Sequence, residues 1–103
     1  MQQIVRKYPL LRQRQQQVSI PYGATAMHIH EQDGRVCIWA VCPYPSFNVP
    51  DNTLDVLCVS TGVVVPEDWS FWYRETCHIH GGNTVVHVFM RPASPSVDSC
   101  EPC

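Results

Sequence analysis

At 103 residues, with charged side chains at 16% and a formal net charge of −2, the chain holds one domain with a single modest core and leaves no room for a second catalytic unit. So weak a charge recommends neither nucleic acid nor an acidic membrane surface as a partner. No apolar run approaches the roughly 20 residues of a membrane-spanning helix, and no apolar signal-peptide stretch opens the sequence, so the expected compartment is the cytoplasm.

Nine prolines, five glycines and short runs rich in β-branched residues argue for strands over helices. The candidate strands are 2–8, 15–20, 24–32, 35–42, 53–60, 70–80 and 83–90. They are punctuated by Pro21-Tyr22-Gly23, by Asp33-Gly34, by the proline-broken stretch from Pro43 to Pro50, and by Gly81-Gly82. One helical turn is expected near Pro66 to Ser70, where Pro66-Glu67-Asp68 has first-turn chemistry. The pattern reads as an all-β fold: a small single-domain antiparallel β-sandwich or partly open barrel of six to seven strands. Residues 1–91 form the β domain, and 92–103, poor in apolar residues, read as a flexible, disordered tail.

Four of the seven basic residues, Arg6, Lys7, Arg12 and Arg14, fall within the first fourteen positions, a small basic end on a slightly acidic body. Of six cysteines, Cys37, Cys42, Cys58 and Cys77 sit inside apolar runs, where a reduced thiol behaves as a small hydrophobe. Cys100 and Cys103 form a lone C-x-x-C without the context of a redox enzyme.

The most informative motif is His-Ile-His, which occurs at His28–His30 and again at His78–His80. On a strand, period-two spacing puts both imidazoles of a copy on one face. Asp33-Gly34 and Gly81-Gly82 are two-residue hairpin turns, and counting back through them sets the register. The first hairpin then pairs His30 with Cys37, His28 with Trp39 and Ala26 with Val41. The second pairs His80 with Asn83, His78 with Val85 and Thr76 with His87. Met27, Ile29, Val36, Ile38 and Ala40 form the core face of the first. In the second, Phe71, Tyr73, Cys77, Ile79, Val86, Val88 and Met90 do so, and Trp72, Arg74 and Phe89 continue the histidine face. Each histidine pair therefore lies opposite its core face, beside aromatic side chains too apolar for plain solvent, and such a surface meets a second sheet, a subunit or a partner.

Zinc would need three or four such ligands to converge, which requires the two outer faces to close on each other. No catalytic residues, cofactor or metal ligands are therefore assigned. A cupin-like reading of His28-Ile29-His30-Glu31 fails because the expected downstream acid is replaced by Arg35 to Cys37. No local nucleophile motif or glycine-rich phosphate loop is recognisable.

Taken in order, Lys7-Tyr8-Pro9-Leu10, Ile20-Pro21 ahead of Gly23-Ala24, Cys37-x-Trp39-Ala40, Ser60-Thr61-Gly62, Val65-Pro66, Gly81-Gly82 and His87-Val88-Phe89 resemble a family of short β-rich proteins of unknown function encoded by phages, prophages and bacteria. The resemblance spans roughly residues 4 to 90. It implies a cytoplasmic β domain, phage-encoded and acting in the host cytoplasm, with no activity to carry over. His87 matches the family pattern, whereas His28, His30, His78 and His80 depart from it.

The expected function is thus that of a non-enzymatic accessory binding protein of a phage or mobile element, such as an inhibitor of a host defence factor. Its partner-binding residues are His28, His30, Trp39, Trp72, Arg74, His78 and His80. A homo-oligomer is expected because sheet edges and aromatic faces need cover. Two alternatives stand beside it: a zinc protein using both His-Ile-His pairs, and an oligomeric sponge for a nucleotide-like ligand held by Arg35, Arg74 and Trp72.

Overall fold

The computed structural model describes residues 2–45, 49–79 and 82–93. Seven strands follow one another as β1 (Gln2–Pro9), β2 (Gln15–Pro21), β3 (Thr25–Gln32), β4 (Arg35–Tyr44), β5 (Asp51–Ser60), β6 (Tyr73–Ile79) and β7 (Thr84–Pro92). A 3-10 turn, η1 (Glu67–Trp72), lies between β5 and β6. The strands form two antiparallel sheets, sheet A in the order β1-β4-β3 and sheet B in the order β2-β5-β7-β6. The fold is all-β, and neither sheet closes on itself.

Alternation sorts the side chains into layers. Ile29, Val36 and Ile38 of sheet A meet Val56, Cys77, Ile79, Val88 and Met90 of sheet B in one core, with Leu10 at its end. Each such burial contributes about 1.5–3 kcal/mol. Cys42 and Ala40 are also fully enclosed on the inner side of β4. Tyr8 lies against the core and its hydroxyl contacts the Cys42 thiol at 3.6 Å. Burial and that contact raise the Tyr8 phenol to about 12.

A second, smaller cluster forms on the outside of sheet B. Leu57, Val59 and Phe89 face away from the main core, and η1 folds back to lay Trp69 over them, with Val65 alongside. Trp69 is only 3% exposed. The Arg91 guanidinium stacks on its ring at 3.7 Å from the centroid and donates to the Asp68 backbone carbonyl and carboxylate. The apolar centre of the outer face of sheet B is thereby covered by its own chain.

Two β-bulges depart from the expected registers. Gln32 pairs with Arg35, His30 with Cys37 and His28 with Trp39 as turn counting predicts, but Ala26 then pairs with Ala40 and Thr25 with Val41. Met27 is the extra residue; it stands 51% exposed, so it leaves the core face that the alternation assigned to it, and Ala26 packs there instead. In the second hairpin His78 pairs with Val85 and Thr76 with His87 as expected, and the register then slips at Arg74, so that Tyr73 pairs with Phe89.

The predicted strand start at 70 also moves. Ser70, Phe71 and Trp72 belong to η1, because Trp69 N–H donates to the Pro66 carbonyl and Ser70 Oγ to the Glu67 carbonyl, tightening the turn. Phe71 is then 95% exposed and Trp72 40%, instead of lying in a sheet. At the other end β7 reaches Pro92, and Ala93 N–H donates to the Thr53 carbonyl. The tail expected beyond them, with Cys100 and Cys103, lies outside the described residues from Ser94 on.

The two sheets touch along one pair of edges and part along the other. Arg74 on β6 donates from Nη2 to the Ala26 carbonyl on β3 at 3.4 Å, joining the two bulges. Between β1 and β2, an open groove runs past Val5, Lys7, Tyr8, Ser19, Pro21 and Asp51.

Candidate functional site

The outer face of sheet A is built by the first hairpin and β1. Its turn takes Asp33 to φ 54° and Gly34 to φ 78°, the left-handed pair that a two-residue hairpin requires and that Asp-Gly supplies at low cost. The Glu31 carboxylate accepts from Gly34 N–H at 2.6 Å, pinning the turn. With the register held, His30 lies across from Cys37, and His28 across from Trp39, whose other neighbour is Lys7 of β1.

The side chains on this face make contact. The His28 and His30 rings stack with centroids 5.4 Å apart and planes 23° from parallel, and His28 tilts at 44° toward Trp39 at 6.1 Å. Trp39 is half-buried, whereas both imidazoles are exposed. Lys7 Nζ donates to Gln32 Oε1 at 2.7 Å along one side. Cys37 is nearly enclosed among its neighbours, and burial pushes its thiol up despite the nearby Lys7 and Arg35 charges. By register the face also presents Gln3, Val5, Thr25 and Val41. No carboxylate alternates onto this face along β1, β3 and β4, though the Asp33 and Glu31 charges at the turn reach Cys37 and add to the rise of its thiol.

The second histidine group sits elsewhere. Ile29 beside His28, and Cys77 and Ile79 beside His78, all enter the shared core, so the two groups point to opposite sides of the molecule. Among the described residues no three His, Cys, Asp or Glu side chains are grouped to hold a metal ion, and His28, His30 and His78 do not converge. His80 lies outside the described residues.

On sheet B the polar centre is His87. Its Nε2 lies 2.7 Å from Thr61 Oγ1 and its Nδ1 3.0 Å from Thr76 Oγ1, so both ring nitrogens are engaged. Thr76 Oγ1 continues to the Tyr73 hydroxyl at 2.6 Å, and the Tyr73 ring meets Phe89 edge-on at 5.7 Å. Sequence alternation assigned Trp72 and Arg74 to this face and Tyr73 to the core. The bulge reverses that: Tyr73 joins the face, Arg74 turns to the β3 edge, and Trp72 stays in η1. Of the seven residues expected to form one binding surface, the fold brings together His28, His30 and Trp39, and disperses Trp72, Arg74 and His78.

A family model described as a domain of unknown function (DUF7352) matches residues 1–98. Neither a curated protein nor a solved structure matches the chain.

Proposed function

The chain belongs to this family of domains of unknown function, and we propose that it is a non-enzymatic binding protein that docks a protein partner on the outer face of sheet A. One observation carries the reading: the apolar patch of Leu57, Val59 and Phe89 on sheet B is covered by η1, whereas His28, His30, Trp39 and Val41 have no such cover from the described residues. A half-buried tryptophan flanked by exposed imidazoles has the make-up of an interface anchor. Lys7, whose ammonium donates to the neutral Gln32 amide, favours a partner surface of negative charge.

The ordered motifs from Lys7 to Phe89 support a setting in a phage or mobile element, acting in the host cytoplasm. Inhibition of a host defence factor is the sharpest form of that role. A second copy of the chain is the competing occupant of the same face, and native mass determination separates a homo-oligomer from a hetero-complex. The divergence of His28 and His30 from His78 disfavours the zinc reading.

Affinity capture from host lysate with wild type, Trp39→Ala and Phe71→Ala in parallel tests the assignment, followed by titration of the purified partner. The expected result is one acidic partner held by wild type and Phe71→Ala and weakened about 30-fold by Trp39→Ala, the effect of losing an interface anchor of about 2 kcal/mol. A partner held equally by Trp39→Ala, or none that distinguishes the variants, overturns it.

A further inference from the structure

At the end of the sandwich where the two hairpin turns lie, the core opens into a cavity of about 430 Å³. Four separate stretches enclose it: Leu10 to Arg14 after β1, Gly34 to Val36 at the first turn, Cys58 to Ser60 with Val63 after β5, and Ile79, Thr84 and Val86 at the second. Its apolar walls are aliphatic throughout. Arg12, Arg14 and Arg35 line it, and no carboxylate does so among the described residues.

Three cations on a partly apolar hollow have a cost in mutual repulsion that an anion would relieve. Arg12 donates from Nη2 to the Gly34 carbonyl at 3.2 Å, and Arg14 from Nη2 to the Val64 carbonyl at 3.4 Å. Each contact uses one donor of a guanidinium that has five, so the side chains are steadied across the opening with donors to spare. Arginine forks match the paired oxygens of a carboxylate or phosphate. The volume lies in the range of small-ligand sites.

From this geometry we infer a binding site for a small aliphatic anion, its carboxylate or phosphate head held by Arg12, Arg14 and Arg35 and its hydrocarbon body laid on Leu10, Val36, Ile79 and Val86. The absence of any aromatic ring in the lining among the described residues is what selects an aliphatic body over a nucleobase, which takes its affinity from stacking. The site goes beyond the docking face: it lies at the end of the sandwich and uses none of His28, His30 or Trp39. Of the residues expected to hold a nucleotide-like ligand, Arg35 lines the cavity while Arg74 and Trp72 do not.

Methyl NMR and calorimetric titration test it, with decanoate and decyl phosphate as probes below their micelle concentrations, and decanol, inorganic phosphate and adenosine monophosphate as controls. The expected result is saturable binding of decanoate or decyl phosphate, with shifts confined to the methyls of the cavity lining, Leu10, Val36, Val63, Ile79 and Val86 among them. The binding should weaken at least tenfold in Arg12→Ala/Arg35→Ala and at least tenfold for decanol. Val86→Phe, which fills the hollow without touching a charge, should abolish it. No saturable binding of either probe, shifts elsewhere on the surface, tighter binding of the nucleotide, or equal binding of inorganic phosphate overturns the inference.

Discussion

Replacing Trp69 by alanine is the most direct way to ask whether sheet B is covered by its own chain. The indole is 3% exposed over Leu57, Val59 and Phe89, and truncating a buried aromatic of this kind costs about 3–5 kcal/mol. Because η1 lies at the surface, water can enter the space left behind, so the lower end of that range applies. The Arg91 stack at 3.7 Å adds about 0.5–1 kcal/mol, while the Arg91–Asp68 ion pair, with Asp68 70% exposed, adds little. The expected total is about 3.5–4 kcal/mol, at least about a quarter of the roughly 5–15 kcal/mol a domain of this size commands. Urea unfolding followed by circular dichroism should show a lower midpoint at unchanged slope. A double-mutant cycle with Arg91→Ala should return the stacking contribution as coupling. A loss below about 1 kcal/mol would refute the reasoning, and with it the asymmetry between a covered sheet B and an uncovered sheet A.

Other expectations follow from single features. Trp39→Ala should cost only about 1 kcal/mol in the same unfolding assay, since a half-buried side chain loses part of the burial term; a loss like that of Trp69 would place Trp39 in the fold's support instead of on a docking face. Gly34→Val forces a β-branched residue to φ 78° and should lower stability by about 1–2 kcal/mol, read as a shifted urea midpoint, with an unchanged midpoint counting against the turn geometry. Burial raises the Cys58 thiol from 9.0 to about 11. The folded state therefore holds that proton more tightly than the unfolded state, and its contribution is present below pH 9 and is lost as pH rises through about 11. Stability measured from pH 8 to 11 should fall less steeply in Cys58→Ala than in its parent, both in a Tyr8→Phe background that removes the raised phenol, the raised Cys37 and Cys77 thiols being common to both; identical slopes would contradict the assignment.

The hairpins were legible because their turns are chemically specific. Asp33-Gly34 fixes the pairing of His28 with Trp39 from sequence alone, and seven strands follow from runs bounded by glycine and proline. The bulges at Met27 and Arg74 were not legible, since neither position is a glycine or proline and nothing local marks an extra residue. Alternation carried straight through them and sent Met27 and Tyr73 to the wrong face. The run Ser70-Phe71-Trp72 reads as strand by its aromatics, and only the hydrogen bond of Trp69 N–H to the Pro66 carbonyl reveals a tight turn. The arginine-lined cavity was beyond reach for a different reason: its walls come from four stretches far apart in the chain. Arg12 and Arg14 read as a basic terminus until the sheets place them beside Arg35.

The join between the two bulges governs how the molecule resists adding strands to itself. On the β3–β6 side an inserted residue on each edge breaks the regular ladder, and the Arg74 guanidinium already occupies the Ala26 carbonyl, so an incoming chain meets no continuous row of free donors and acceptors. The β1–β4 and β2–β5 ladders run without a register shift among the described residues, and the charges of Arg6 and Lys7 and the ring of Pro21 line the groove beside them instead. Edge protection by bulges is therefore one-sided: it lies on the β3–β6 side and not on the β1–β2 side.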